Sequence, residues 1–151
     1  MQKLVRQATQ GDLEKIKSFL SKTAVDTEDI EKWLNYYLLV EDKDGDLIGT
    51  IGIEPFEKVG LLRSLVIANA TAEDILYLLQ QTIQLAKERK LESLYCMINN
   101  KSAIHLFSLL GFQMIRKEKM PEEIKKSKSI TNISTVNNLQ YMHYHIGNVN
   151  K

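Results

Sequence analysis

Apolar residues recur along this chain in two periods, and the switches between them predict its elements. KLVRQAT reads as a short strand. Asp12 then stands as the N-cap of a helix that gathers Leu13, Ile16, Phe19 and Leu20 on one face, and a second helix is expected from Thr27. YYLLVEDKDGDLIGTIGIEPF holds two apolar runs joined by Asp44 and Gly45, a hairpin signal, and PFEKVG leads into a further strand, LLRSLVI. Thr71 opens the longest helix. In it Ile75, Leu78, Leu79, Ile83 and Ala86 form the apolar stripe, while Lys87, Arg89 and Lys90 suit its negative end. LESLYCMIN follows as a strand, SAIHLFSLLGF as a helix closed by Gly111, and FQMIRKEK as another strand. After Pro121 the polar run PEEIKKSKSITNISTVNN is expected to form a short helix and a loop, and LQYMHYHI closes the chain as a strand. The order β-α-α-β-β-β-α-β-α-β-β predicts an α/β (α+β) fold: a mixed, mostly antiparallel central sheet flanked by helices.

Length and composition narrow the classes. The 151 residues suit one domain, 1–151, which buries roughly 70% of the surface that the unfolded chain exposes. With 44% hydrophobic and 26% charged residues and a net charge of +1, nothing points to nucleic acid. MQKLVRQATQGD lacks the apolar core of a signal peptide, and no apolar run approaches the roughly 18 residues of a membrane span, so a cytoplasmic protein is expected. A single cysteine, Cys96, excludes an internal disulfide, and its setting LYCMI is that of a buried strand residue. His143 and His145 share a strand face without a placed third ligand, and no metal site is expected.

NKSAIHLFSLLGF resembles the C-terminal motif of the GNAT N-acetyltransferase superfamily, Asn-x-x-Ala-x-x-x-Tyr-x-x-x-Gly-Phe. Asn100, Ala103, Gly111 and Phe112 match it, and Phe107 stands at the tyrosine. GTIGIEPFEKVGLLRSLVI resembles the preceding part of that fold. The phrase GIE…LLRSL, with MPEEIKKS further on, is similar to the branch containing N-acetylglutamate-synthase-like and arsinothricin-resistance-like amino-acid acetyltransferases. The resemblance implies an acetyl-CoA-dependent N-acetyltransferase acting on a small amine or amino acid. It implies that Leu65, Val66 and Ile67 offer backbone groups to the pantetheine arm, with Asn100, Ala103 and Phe107 beside it. Asn100 can equally cap the helix that follows, and Phe107 can simply pack in the core.

Between LLRSLVI and its helix the superfamily carries an Arg/Gln-x-x-Gly-x-Gly/Ala loop that holds the pyrophosphate on backbone N–H groups. The corresponding ANATAED is about two residues shorter and has neither glycine, the residue that lets a backbone approach phosphate closely. Thr71 and Asp74 instead form a variant of the capping box, so Thr71 and Ala72 mark a degenerate loop with a weak grip on acetyl-CoA. Loss of that grip supports an alternative, a binding or scaffold module that keeps the fold and not the reaction.

Two charged residues carry the acceptor chemistry. Glu54 ends the strand GTIGIE, and the resemblance places it near the acceptor side of the cleft, where a carboxylate can take the amine proton through water; otherwise it is a solvated strand end or a salt-bridge partner. Arg63 lies within an apolar strand and needs a partner, either Glu54 or a ligand carboxylate. If Glu54 faces Leu61, Gly52 faces Arg63, and alternation sets both charges on one face with open space beside the guanidinium.

Overall fold

A computed structural model describes residues 3–22, 30–127 and 139–147. Among them seven strands form one sheet in the order β1-β2-β3-β4-β5-β7-β6: β1 Leu4–Gln7, β2 Tyr37–Glu41, β3 Leu47–Phe56, β4 Val59–Ile67, β5 Ser93–Ile98, β6 Gln113–Ile115 and β7 Gln140–His145. Only β4 and β5 pair in parallel, so the sheet is mixed and mostly antiparallel.

Four α-helices among the described residues flank it: α1 Leu13–Leu20, α2 Ala72–Glu88, α3 Lys101–Leu109 and α4 Glu122–Lys125. Helices α2 and α3 cover one face. Leu78, Leu79, Ile83, Leu85 and Ala86 of α2 and Phe107 of α3 share a core with Ile51, Ile53, Leu62, Leu94 and Met142 from the strands. Each large side chain so buried contributes about 1.5–3 kcal/mol. The opposite face is covered in two patches. Ile16 and Leu20 of α1 pack with Tyr37 and Leu39, while Ile124 of α4 packs with Leu61 and Met120.

Several elements differ from the sequence reading. Asp12 precedes α1 with helical dihedrals and makes no side-chain cap bond. Its carboxylate turns back to the Thr9 N–H (2.8 Å) and to Arg6, which also holds Glu41 on β2. Arg6 thereby holds the Asp12 carboxyl well below the usual carboxylate range. The helix start expected at Thr27 lies outside the described residues. Ile30–Tyr36 forms 3-10 turns interrupted at Trp33 (φ −126°, ψ 29°), so the stretch cannot continue as an α-helix. Strand β6 is only three residues long, because the charged run from Arg116 to Lys119 offers no apolar face to bury and turns into a 3-10 segment. The short helix expected after Pro121 is α4; the loop after it falls mostly outside the described residues.

Candidate active site

Strands β4 and β5 start together and then part. Their pairs run Val59 with Ser93, Gly60 with Leu94 and Leu61 with Tyr95, yet β4 continues to Ile67 and β5 to Ile98. Beyond Leu61 the edge of β4 that faces β5 is therefore unpaired, and backbone N–H and C=O groups there need partners. Helix α2 follows β4 and α3 follows β5, so both helix N-termini stand at the mouth of this opening. A groove of about 400 Å³ lies there, lined by Ala72 at the start of α2 and by Lys101, Ser102, His105 and Leu106 of α3.

The opposite strand ladder explains how β4 bends. Gly52 pairs with Arg63 and Thr50 with Val66, so Ile51 alone faces both Ser64 and Leu65. That bulge puts Ser64 at φ 59°, the left-handed region, and leaves Leu65 exposed. Of the residues that the sequence assigned to the acyl-CoA arm, Val66 and Ile67 follow on the same unpaired edge and are half-buried.

The loop between β4 and α2 is closed by its own side chains. Thr71 Oγ1 accepts from the Asp74 N–H, and the Thr71 N–H donates to Asp74 Oδ2, both at 3.1 Å. This is the expected capping box. Lys3, from the other end of the chain, donates to the same carboxylate and to the Asn69 carbonyl (3.2 Å). The Lys3 ammonium, ahead of the Thr71 N–H, lowers the Asp74 pKa. Asp74 is thus a paired carboxylate inside a cap rather than a bare charge facing a ligand. Glu73 beside it is exposed.

Asn100 caps α3 through Oδ1, which accepts from the N–H groups of Ser102 (2.8 Å) and Ala103 (3.3 Å). Its Nδ2 still has donors to offer at the exposed mouth of the opening. Ala103 is half-buried. Phe107 is in the core at 3% exposure, edge-on to Phe112 with ring centroids 5.1 Å apart. A side chain so placed carries no proton and meets no solvent.

On the other face, Glu54 pairs with Leu61 and Gly52 with Arg63, so Glu54 and Arg63 do share one face. Arg63 Nη1 lies 3.3 Å from Glu54 Oε1, longer than the roughly 2.7–2.9 Å of a strong charge-assisted bond. The guanidinium also sits 5.4 Å from the centroid of the Trp33 ring. Both charged side chains are about nine-tenths buried, between the patch under α1 and the patch under α4. The space expected beside Gly52 is filled: the ring of Tyr37, its pairing partner on β2, lies across it. Burial pushes the Tyr37 hydroxyl above the usual phenol range, against the pull of Arg63 and Ser64.

Sequence reasoning missed Lys101, Ser102, Tyr37 and Trp33 and gave His105 no part in the site. Helical spacing from Asn100 sets Lys101, Ser102 and His105 on one side of α3 and was a usable signal. Tyr37 and Trp33 lie within apolar runs and carried none. His143 and His145 have ring centroids 6.4 Å apart, and His143 stacks on Tyr95 and bonds Ser93. Among the described residues, no group of three or more His, Cys, Asp or Glu is arranged to hold a metal ion.

A sheet that opens between two parallel strands, each followed by a helix whose N-terminus meets the gap, is the fold of the GNAT acetyltransferases. The solved structures agree. An acetyltransferase of the GNAT family from Staphylococcus aureus Mu50 superposes with a TM-score of 0.72 at 17% identity, over 95% of this chain and 99% of that one. N-acetylglutamate synthase from Neisseria gonorrhoeae, solved with coenzyme A and N-acetyl-glutamate, superposes with a TM-score of 0.71 at 21% identity. The match covers 95% of this chain but only 35% of the synthase, so the chain spans about a third of that enzyme's length. Among curated proteins, YwlB of Bacillus subtilis (strain 168), described as uncharacterized, is 28% identical over 125 residues, 82% of this chain and 84% of YwlB. No family model matches the chain. No described helix is long and apolar enough to cross a membrane.

Proposed function

We propose that this chain is an acetyl-CoA-dependent N-acetyltransferase acting on a small amine or amino acid. The observation that carries the reading is the opening between β4 and β5. An unpaired strand edge there lies beside a buried Arg63–Glu54 pair, in a fold whose solved examples include an enzyme holding coenzyme A and an acetylated amino acid.

The residues present fit such a cofactor unevenly. The β4 edge at Leu65, Val66 and Ile67 and the Asn100 amide suit a pantetheine arm with its peptide-like groups. Lys101 and His105 put cationic or donor groups beside the groove, while the loop from Thr71 to Asp74 spends two of its backbone donors on itself. When bound, acetyl-CoA supplies an activated acetyl thioester. This chain's own residues do the rest. Arg63 holds an acceptor carboxylate, Glu54 takes the amine proton through water, and Phe107 gives no proton, so the leaving group draws one from solvent.

The capped loop and Phe107 also favour a second reading, a GNAT-fold module that binds acetyl-CoA weakly or not at all and serves as a scaffold. Calorimetric titration with acetyl-CoA, followed by an assay of thiol release over a panel of amino acids and amines, separates the two. Binding with acceptor-dependent thiol release supports the enzyme; no heat and no release support the scaffold and reject the enzyme.

A further inference from the structure

The bulge in β4 is held from behind by Tyr37 and Thr50, neither given a step in the chemistry above, although the Tyr37 hydroxyl also lies against Arg63. Ser64 takes φ 59°, a conformation unfavourable for a residue with a Cβ, and it is fixed at two points. Thr50 Oγ1 donates to the Ser64 carbonyl at 2.7 Å, and the Tyr37 hydroxyl shares a 2.9 Å hydrogen bond with Ser64 Oγ. All three residues are buried, Tyr37 and Thr50 completely. The Tyr37 ring alone, without the hydroxyl, would fill the space over Gly52 equally well. A buried hydroxyl is costly unless bonded, and this one is bonded to the residue that defines the bulge.

We propose that Tyr37 is a positioning residue. Its hydroxyl, with Thr50, keeps Ser64 left-handed and so fixes the bulge that presents the edge from Leu65 to Ile67 to the opening. That this edge then aligns an acyl thioester rests on the function proposed above; the lock itself does not. Without the bond, Ser64 relaxes toward ordinary strand dihedrals and the edge loses its alignment. The expected loss is in turnover, and because the same hydroxyl also touches Arg63, acceptor affinity weakens with it although Arg63 and Glu54 keep their register.

Tyr37→Phe keeps the ring and removes the bond. It is expected to lower kcat about three- to tenfold, the effect of one buried hydrogen bond on positioning. It should also speed amide exchange at Leu65 and Val66. Adding Ser64→Gly supplies a residue that adopts positive φ without penalty, so the double variant should recover turnover, which a merely structural role for Tyr37 does not predict. Native turnover and native exchange in Tyr37→Phe overturn the proposal, as does a loss that Ser64→Gly fails to relieve. If the native protein transfers no acetyl group, the enzyme reading falls and exchange decides the lock alone: faster at Leu65 and Val66 supports it, unchanged rejects it.

Discussion

The ring of Tyr37 occupies the place a side chain at Gly52 would take: a Cβ there would lie 2.4 Å from Tyr37 Cζ. No fully buried ring can move that far in a close-packed interior at low cost. Gly52→Ala should therefore destabilise the protein by about 1–3 kcal/mol or more, read from urea unfolding. Gly11→Ala is the reference. Its Cβ would meet only Thr9 Oγ1, at 3.9 Å, and it should stay within about 1 kcal/mol of native.

Asp74→Asn should weaken the fold by about 1–2 kcal/mol at neutral pH, since it removes the charge that both Lys3 and the Thr71 N–H hold. Lys3 and the cap depress the folded-state pKa of Asp74, so its contribution is full above the unfolded value near 4 and is lost as pH falls through the folded one. The acid limb of a stability–pH curve should accordingly flatten in the variant. Glu73→Gln touches an exposed charge at the same helix end and should instead tighten acetyl-CoA binding at low salt. Equal effects of the two substitutions would show that Asp74 is not held in this way.

His143 resists protonation, because burial, with the neighbouring His145, lowers its pKa. A depressed histidine stabilises the fold above its unfolded pKa, near 6.5, and that contribution is lost as pH falls through the folded value. In an NMR titration its ring resonance should have a midpoint below 6.5. His143→Phe, which can keep the stacking on Tyr95, should reduce the loss of stability on acidification. A midpoint above 6.5 would mean that the ring is paired with an acid.

Arg63 gives the acceptor chemistry its sharpest test. An amino acid and its uncharged amide, offered in turn, should differ by roughly tenfold or more in kcat/KM with the native protein, and much less with Arg63→Met. Identical treatment of both acceptors by both proteins would leave Arg63 as the permanent partner of Glu54. Glu54→Gln should lower turnover if the proton passes through it.

The order of the seven strands, the capping box at Thr71 and the pairing of Gly52 with Arg63 were legible in the sequence, because each rests on local pattern or on strict alternation. What escaped was contact between distant segments. Lys3 meets Asp74 across 71 positions, and Tyr37 on β2 reaches across β3 to Ser64 on β4. The apolar run around Tyr37 reads as generic core, so nothing in it shows that Gly52 is small to admit that ring. The 3-10 stretch at Ile30–Tyr36 escaped because its apolar spacing suits an α-helix, while the backbone at Trp33 does not.

The parting of β4 and β5 has a consequence for how the molecule comes undone. Four strands on one side and three on the other are joined in the sheet by three residue pairs, and otherwise by packing across the join, from α2 and α3 on one face and from Met120 and α4 on the other. Strands β2, β3 and β4 pair with their neighbours in sequence, whereas β7 reaches back past α3, α4 and β6 to find β5. Local pairing closes small loops and distant pairing closes large ones. The four-strand side is expected to form first and open last, with β5, β6 and β7 exchanging their amides as a separate, less protected unit.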